Sequence, residues 1–303
     1  MKQRGDLNLV AISQAPAAKS WLATTKNARV VGSFNRAFNL VNEHGEFLSV
    51  LAPDTGNAPF AILLADAPDR LQDSVGKDAI VSIRKKSLVV NNLTIDFSQS
   101  SLWHPRPDWD AMKAGKAMIV DGTGVLLLLL REQAPTYSLA SLITMAPSIN
   151  EIVDSNMLAV TSDAVRQFCI GLANSDPNNM LTGAQALAGL GLGLTPAGDD
   201  FLLGALHALW AISEPEQAAH ISEMIVSVAA PRTTHLSAAW MRAAARGEAS
   251  ERWHKMLGAL YTGAITTIER AAQDVMAIGN TSGTDALTGF VMAMQPNLML
   301  ECH

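Results

Sequence analysis

Two periods of apolar and polar residues divide this chain. Over the first third, apolar positions alternate with polar ones, as in RVVGSF, AFNLVNEHGEFLSVLA and DAIVSIRKKSLVVNNLTIDF. A period of two is that of half-buried strands, and His44–Gly45 and Asn91–Asn92 interrupt it where turns are needed. The pattern predicts antiparallel hairpins. The proline-rich WHPRPDW at 103–109 breaks it and marks a boundary region. Beyond about residue 135, apolar residues recur at i, i+3 and i+4 through Ala/Leu/Met-rich segments at 158–174, 196–212, 216–230, 234–247 and 251–278, which predicts helices. The expected fold class is α+β. An antiparallel β-rich domain over 1–125, barrel-like or a small sheet, precedes a mainly α-helical domain over 126–303.

Composition narrows the function classes. The 303 residues are 49% hydrophobic, enough for a substantial core, and carry a formal net charge of −6. That balance gives no basic footprint for a nucleic-acid backbone, and Arg84–Lys85–Lys86 reads as a solvated turn. The longest lipid-like run, VLLLLL at 125–130, falls far short of the ~20 residues a bilayer span needs and reads as a buried strand or helix segment. Asp6 and Asn8 interrupt what would be the apolar part of a signal peptide, so the expected location is cytoplasmic. Cys169 and Cys302 lack metal-ligand spacing; Cys169, inside VRQFCIGL, reads as a small buried hydrophobe.

The densest chemistry lies in GLGLGLTPAGDDFLLG, residues 189–204. No Gly-Lys-[Ser/Thr] follows, and Gly191, Gly193 and Gly198 do not fit G-x-G-x-x-G, so both nucleotide fingerprints fail. Locally this is the grammar of a helix start: Thr195 suits the N-cap, Pro196 the first helical position, and Asp199 and Asp200 the first turn. That reading explains the aspartates completely. It leaves the glycines unexplained, because alternate glycines cost ordering entropy and serve where backbone turns sharply or something approaches closely. Two adjacent carboxylates can also hold Mg²⁺, which makes Asp199 and Asp200 candidate metal ligands.

GNTSGTDALTG at 279–289 echoes that stretch, with Gly279, Thr281, Asp285 and Gly289 answering Gly193, Thr195, Asp200 and Gly204 after a one-residue deletion. Gly279 suits the C-terminal stop of a long 251–278 helix, and Thr281 or Ser282 the cap of the next, with Gly283 behind them. If the two helix starts faced each other across a cleft, their N–H groups and hydroxyls would form an anion site. Between them, PRTTHLSAAWMRAAARG brings Thr233 or Thr234, Ser237 and Met241 onto one helical face. No lysine lies between Lys116 and Lys255, so an anion bound by side-chain charge here meets an arginine, Arg232, Arg242 or Arg246. His235 lies two residues from Ser237, on a different helix face, and no triad is suggested. His207 reads as one more helix-face residue.

GLGLGLTPAGDDFLLG, TTHLSAAWMRAAARG and GNTSGTDALTGF resemble the three signature blocks of the AllH-type subunit family of oxamate carbamoyltransferase. NRAFNLVNEHGEFLSV resembles that family's opening hairpin, so the likeness runs from about Arg29 to Gly289. The resemblance implies allantoin-type purine nitrogen catabolism, with oxalurate and phosphate converted to oxamate and carbamoyl phosphate by an enzyme of three different subunits. The Ser-x-[Arg/Lys]-Thr-Arg loop of ornithine-type carbamoyltransferases is missing. The expected site therefore holds phosphate or a small anionic substrate through Gly191, Gly193, Thr195, Gly198, Arg232, Thr233, Thr234, Ser237, Thr281, Ser282 and Gly283. Asp199, Asp200 and Asp285 are its candidate catalytic groups. A non-catalytic assembly or anion-sensing subunit is the alternative, and a purely structural role for both loops is a third reading.

Overall fold

The computed structural model describes residues 6–144 and 155–299; Cys302 lies outside them. The chain divides into two units, one running to Pro105 and joined by Ala249–Glu251, the other comprising Arg106–Glu248 and the chain from Arg252 onward. The division falls inside the proline-rich stretch, ahead of the 125/126 boundary that the change of period suggested.

The first unit holds β1 (Leu7–Gln14), α1 (Pro16–Thr24), β2 (Ala28–Ser33), β3 (Ala37–Asn42), β4 (Phe47–Leu51), β5 (Ala61–Leu64), β6 (Val81–Ile83), β7 (Ser87–Val90), β8 (Leu93–Asp96) and β9 (Ser101–Leu102). They form a nearly closed, barrel-like sheet in the order β2-β3-β4-β5-β1-β8-β7-β6, with β9 added beside β1. The predicted hairpins β3–β4 and β7–β8 are antiparallel, with Leu40 opposite Leu48 and Leu88 opposite Ile95. Strands from distant segments complete the sheet in parallel, β4 with β5 and β1 with both β8 and β9. Period-two patterning identifies strands; it carries no information about which non-neighbours pair. Alternate residues Phe38, Leu40, Leu48, Val50, Leu88, Val90, Leu93 and Ile95 fill the interior with Trp21 from α1, each large side chain contributing roughly 1.5–3 kcal/mol by leaving water.

Asn42 fixes the entry to the β3–β4 turn. Its Oδ1 accepts from the N–H of His44 and of Glu46, at 3.0 and 2.9 Å, and its Nδ2 donates to Thr25 Oγ1 and Glu46 Oε2. Asn42→Ala strands those groups, and a loss of about 2 kcal/mol is expected, readable as a lower urea midpoint with unchanged slope.

The second unit is helical: α2 (Trp109–Ala114), α3 (Lys116–Gln133), α4 (Ser141–Thr144), α5 (Ser155–Ala173), α6 (Pro177–Leu187), α7 (Ala197–Ile212), α8 (Pro215–Ala229), α9 (His235–Ala245), α10 (Glu251–Thr262), α11 (Ile265–Met276) and α12 (Ser282–Met294). The VLLLLL run lies within α3, with Leu126, Leu129 and Leu130 buried. The expected single helix over 251–278 is two helices, because Gly263 takes a φ of +72°, which ends α10. No described helix is long and apolar enough to cross a membrane.

Helices α7 and α12 form the centre of this unit. Nearly every residue of both is buried, including Phe201, Leu202, Leu206 and Trp210 on α7 and Leu287, Phe290 and Val291 on α12. They cross where a Cβ on Gly204 would strike the Ala286 carbonyl oxygen and a Cβ on Gly289 would strike that of Phe201. The two contacts are reciprocal, so the helices meet backbone to backbone about a local pseudo-two-fold.

Candidate functional site

The segments entering α7 and α12 repeat one construction. After α6, Leu190 N–H donates to the Leu187 carbonyl and Gly198 N–H to that of Leu190; after α11, Ile278 N–H donates to Val275 and Gly283 N–H to Ile278. A Cβ on Gly198 would collide with the Leu187 carbonyl, and one on Gly283 with that of Val275. The echo in the sequence is thus a duplicated helix–turn–helix in space. Its two copies bring Thr195 Oγ1 and Ser282 Oγ to 3.0 Å from each other.

The capping roles differ from those expected. Pro196 stands at the N-cap of α7, where its missing N–H costs nothing, and Thr195 precedes it and turns its hydroxyl to Ser282. Thr281 occupies the N-cap of α12, yet its side chain makes no capping bond. Both hydroxyls are thereby available to carboxylates deeper in the site.

Those carboxylates are Asp200 and Asp285, 6% and 0% exposed. Asp285 Oδ1 accepts the Leu139 N–H at 2.7 Å, whereas Oδ2 of Asp285 and Oδ2 of Asp200 accept no hydrogen bond. Burial holds the Asp200 carboxyl well above the usual carboxylate range; neighbouring Ser282 and Thr195 oppose that shift, and the charges of Asp285 and Asp199 add to it. Burial likewise lifts Asp285 to about 6, against the pull of Leu139 N–H and Thr281. Burial thus favours the neutral acid at both positions.

Asp199 is committed elsewhere. Its Oδ1 accepts Gly189 N–H at 2.8 Å and its Oδ2 the Thr233 hydroxyl, and burial raises its pKa while Thr233, Gly189 and Ser237 hold it down. It clamps the glycine loop to the segment before α9. Thr234 Oγ1 reinforces the clamp by donating to the Leu194 carbonyl at 2.7 Å while capping α9 through Ser237 N–H, and Ser237 Oγ reaches the same carbonyl at 3.4 Å. Thr233 thus precedes α9 and shares no helical face with Ser237 and Met241.

Within the loop, Gly189, Gly191 and Gly193 all have positive φ. A Cβ on Gly189 would press on the Arg232 carbonyl, which places Arg232 beside the loop with its side chain exposed. Arg242 is also exposed.

The expectation of free helix N–H groups fares differently. Gly198 N–H is taken by Leu190, those of Asp199 and Asp200 by Pro196, and that of Asp285 by Thr281. Among the described residues no group of three or more histidine, cysteine, aspartate or glutamate side chains is placed to hold a metal ion. Asp199 and Asp200, the proposed Mg²⁺ pair, engage different partners.

His207 is fully buried on α7, with its ring 4.7 Å from Trp253, and burial lowers its pKa to about 3, helped by His254. It is a neutral core residue. His235 is exposed at the start of α9, and His235→Ala is expected to change turnover less than twofold in an activity assay. Cys169 is buried, and its thiol is pushed up to about 12, so it is unreactive. Sequence reasoning missed Leu139, whose backbone N–H holds Asp285 from far along the chain; no residue-type signal marks a backbone donor.

Two family models match the chain. One, described as oxamate carbamoyltransferase subunit AllH, matches residues 187–294 and so spans both turns and the helices α7 and α12 that follow them. The other, described as the AllH family N-terminal domain, matches residues 10–102, the whole of the sheet except its first residues. No solved structure matches the chain.

Proposed function

The chain belongs to the AllH family of oxamate carbamoyltransferase subunits, and from that premise we propose that its paired turns before α7 and α12 are its contribution to carbamoyl transfer. The observation that supports this reading is the meeting of Thr195 and Ser282 beside two buried carboxyls, each with an oxygen that nothing satisfies. Buried polar atoms are normally paired, so an unpaired carboxyl oxygen in each of the two equivalent positions calls for an explanation.

The chemistry asks for a group of this kind. When phosphate attacks oxalurate, an oxygen of phosphate bonds to the carbamoyl carbon, the carbon–nitrogen bond to oxamate breaks, and the departing nitrogen takes a proton. Asp200, whose burial favours the protonated form, supplies that proton; in the reverse direction it recovers it. Asp285 accepts the proton that the attacking phosphate gives up, so that the pair ends the step with as many protons as it began. The hydroxyls of Thr195 and Ser282 donate to the carbonyl oxygen as it gains negative charge. Phosphate approaches past the glycine loop, where Arg232 supplies the cation. Further protein subunits complete the enzyme.

Thr195→Val and Ser282→Ala, each in the assembled enzyme, test this role. Each is expected to lower turnover by about tenfold to a hundredfold while the complex elutes at its normal size. Turnover within twofold of wild type in both variants would assign the hydroxyls to packing alone.

A further inference from the structure

The duplicated turn has a consequence for what the site can recognise. Asp200 and Asp285 occupy equivalent positions in the two copies, on helices related by the reciprocal Gly204 and Gly289 contacts. Each presents one buried Oδ2 that has no hydrogen-bond partner. The crossing of α7 and α12 brings the two carboxyls to equivalent places, and burial favours the neutral acid at both, with the Asp285 charge adding to the effect at Asp200. The pair then offers one O–H donor and a set of acceptor oxygens. An anion is a poor complement, because an ionised carboxylate faces it and the nearby first-turn N–H groups are already taken by backbone carbonyls. A primary amide is the right complement: its carbonyl oxygen accepts the acid's proton in a hydrogen bond, and its N–H groups donate to the carboxylate.

We propose that the Asp200–Asp285 pair is the receptor for an uncharged primary amide end of the ligand and a barrier to a carboxylate or phosphate in the same position. The inference rests on the carbamoyl-transfer reading for its ligand class, and it specifies which end of the substrate lies against α7 and α12. The anionic ends then lie outward, toward the glycine loop and Arg232. The site therefore selects as much by rejection as by attraction, since a misplaced anion would meet a buried negative charge.

Oxamate and oxalate provide the probe, because they share a carboxylate and differ only where one carries an amide and the other a second carboxylate. Binding of each is measured by calorimetry on the full-length chain and on the assembled enzyme, independently of turnover. Oxamate is expected to bind at least about tenfold more tightly than oxalate to wild type. In Asp285→Asn the preference should shrink to within about threefold, with most of the change arising from tighter oxalate binding. Asp200→Asn serves as a second variant should the first be poorly folded, with circular dichroism as the check. Equal binding of oxamate and oxalate to wild type overturns the proposal, as does a preference unchanged in both variants. Absence of oxamate binding to both chain and complex overturns it too. The expected preferences in wild type and variants, with turnover of both variants near wild type, would count against the transfer chemistry and leave the amide receptor standing.

Discussion

Asp285→Asn is expected to make the protein more stable at pH 7.5 and the enzyme it serves nearly inactive. In the folded chain the Asp285 carboxyl titrates at about 6, above its ordinary 3.8. A raised acid pKa means that the native state binds the proton more tightly than the unfolded state does. Its stabilising contribution is complete below about pH 4 and is lost as the pH rises to about 6; above that, the buried charge costs about 3 kcal/mol. Asparagine keeps an oxygen for the Leu139 N–H without a charge to bury. A gain of roughly 1–3 kcal/mol is therefore expected at pH 7.5, a rise of several degrees in Tm, and none at pH 4. Turnover should fall by about 10² to 10⁴ because the ionised partner of Asp200 is gone. A group that costs stability and is needed for turnover behaves as a functional acid. A variant that is both less stable and fully active would make Asp285 a cap.

The second large effect concerns the helix crossing. Alanine is ordinarily better than glycine inside a helix by about 1 kcal/mol. At Gly204 and Gly289 the sign should reverse, because the added methyl meets a backbone carbonyl of the opposite helix, which cannot rotate away as a side chain can. α7 and α12 would have to separate, opening the core around Phe201 and Phe290. We expect Gly204→Ala and Gly289→Ala each to cost more than about 3 kcal/mol, enough to reduce soluble yield sharply. Gly258 in α10 is the control, with open space where its Cβ would be, and Gly258→Ala should stabilise by up to about 1 kcal/mol. Denaturant midpoints of the three variants test the contrast. Similar behaviour at all three positions would mean that α7 and α12 are not in backbone contact.

The architecture was legible where local pattern decides it. Alternation along β3, β4, β7 and β8 and the i, i+3, i+4 spacing of α5, α7, α8 and α9 are properties of neighbouring residues, and they place the elements within a few positions. The parallel pairing of β1 with β8, and the Gly263 break between α10 and α11, depend on distant partners or on one backbone angle. At the site, the echo of GLTPAGDD in GNTSGTD pointed to a repeated device, and the two copies do meet, through Thr195 and Ser282. The division of labour among the aspartates was not legible. Asp199 and Asp200 are adjacent in sequence but point to different partners because successive helical residues face about 100° apart. The residues that act on Asp200 from α12, Ser282 and Asp285, are reached only through the crossing of two helices. Free helix N–H groups were expected from a generic helix start, whereas these turns fold their preceding carbonyls back onto them.

Asp200 and Asp285 are proposed to act as one unit in the reaction. Turnover of the assembled enzyme carrying Asp200→Asn, Asp285→Asn and both together tests it most directly. Groups that act together are non-additive, so the double variant should be no more than about threefold slower than the slower single variant, with each single variant reduced by at least about 10². Single-variant turnover near wild type, or losses that multiply in the double variant, would contradict the account.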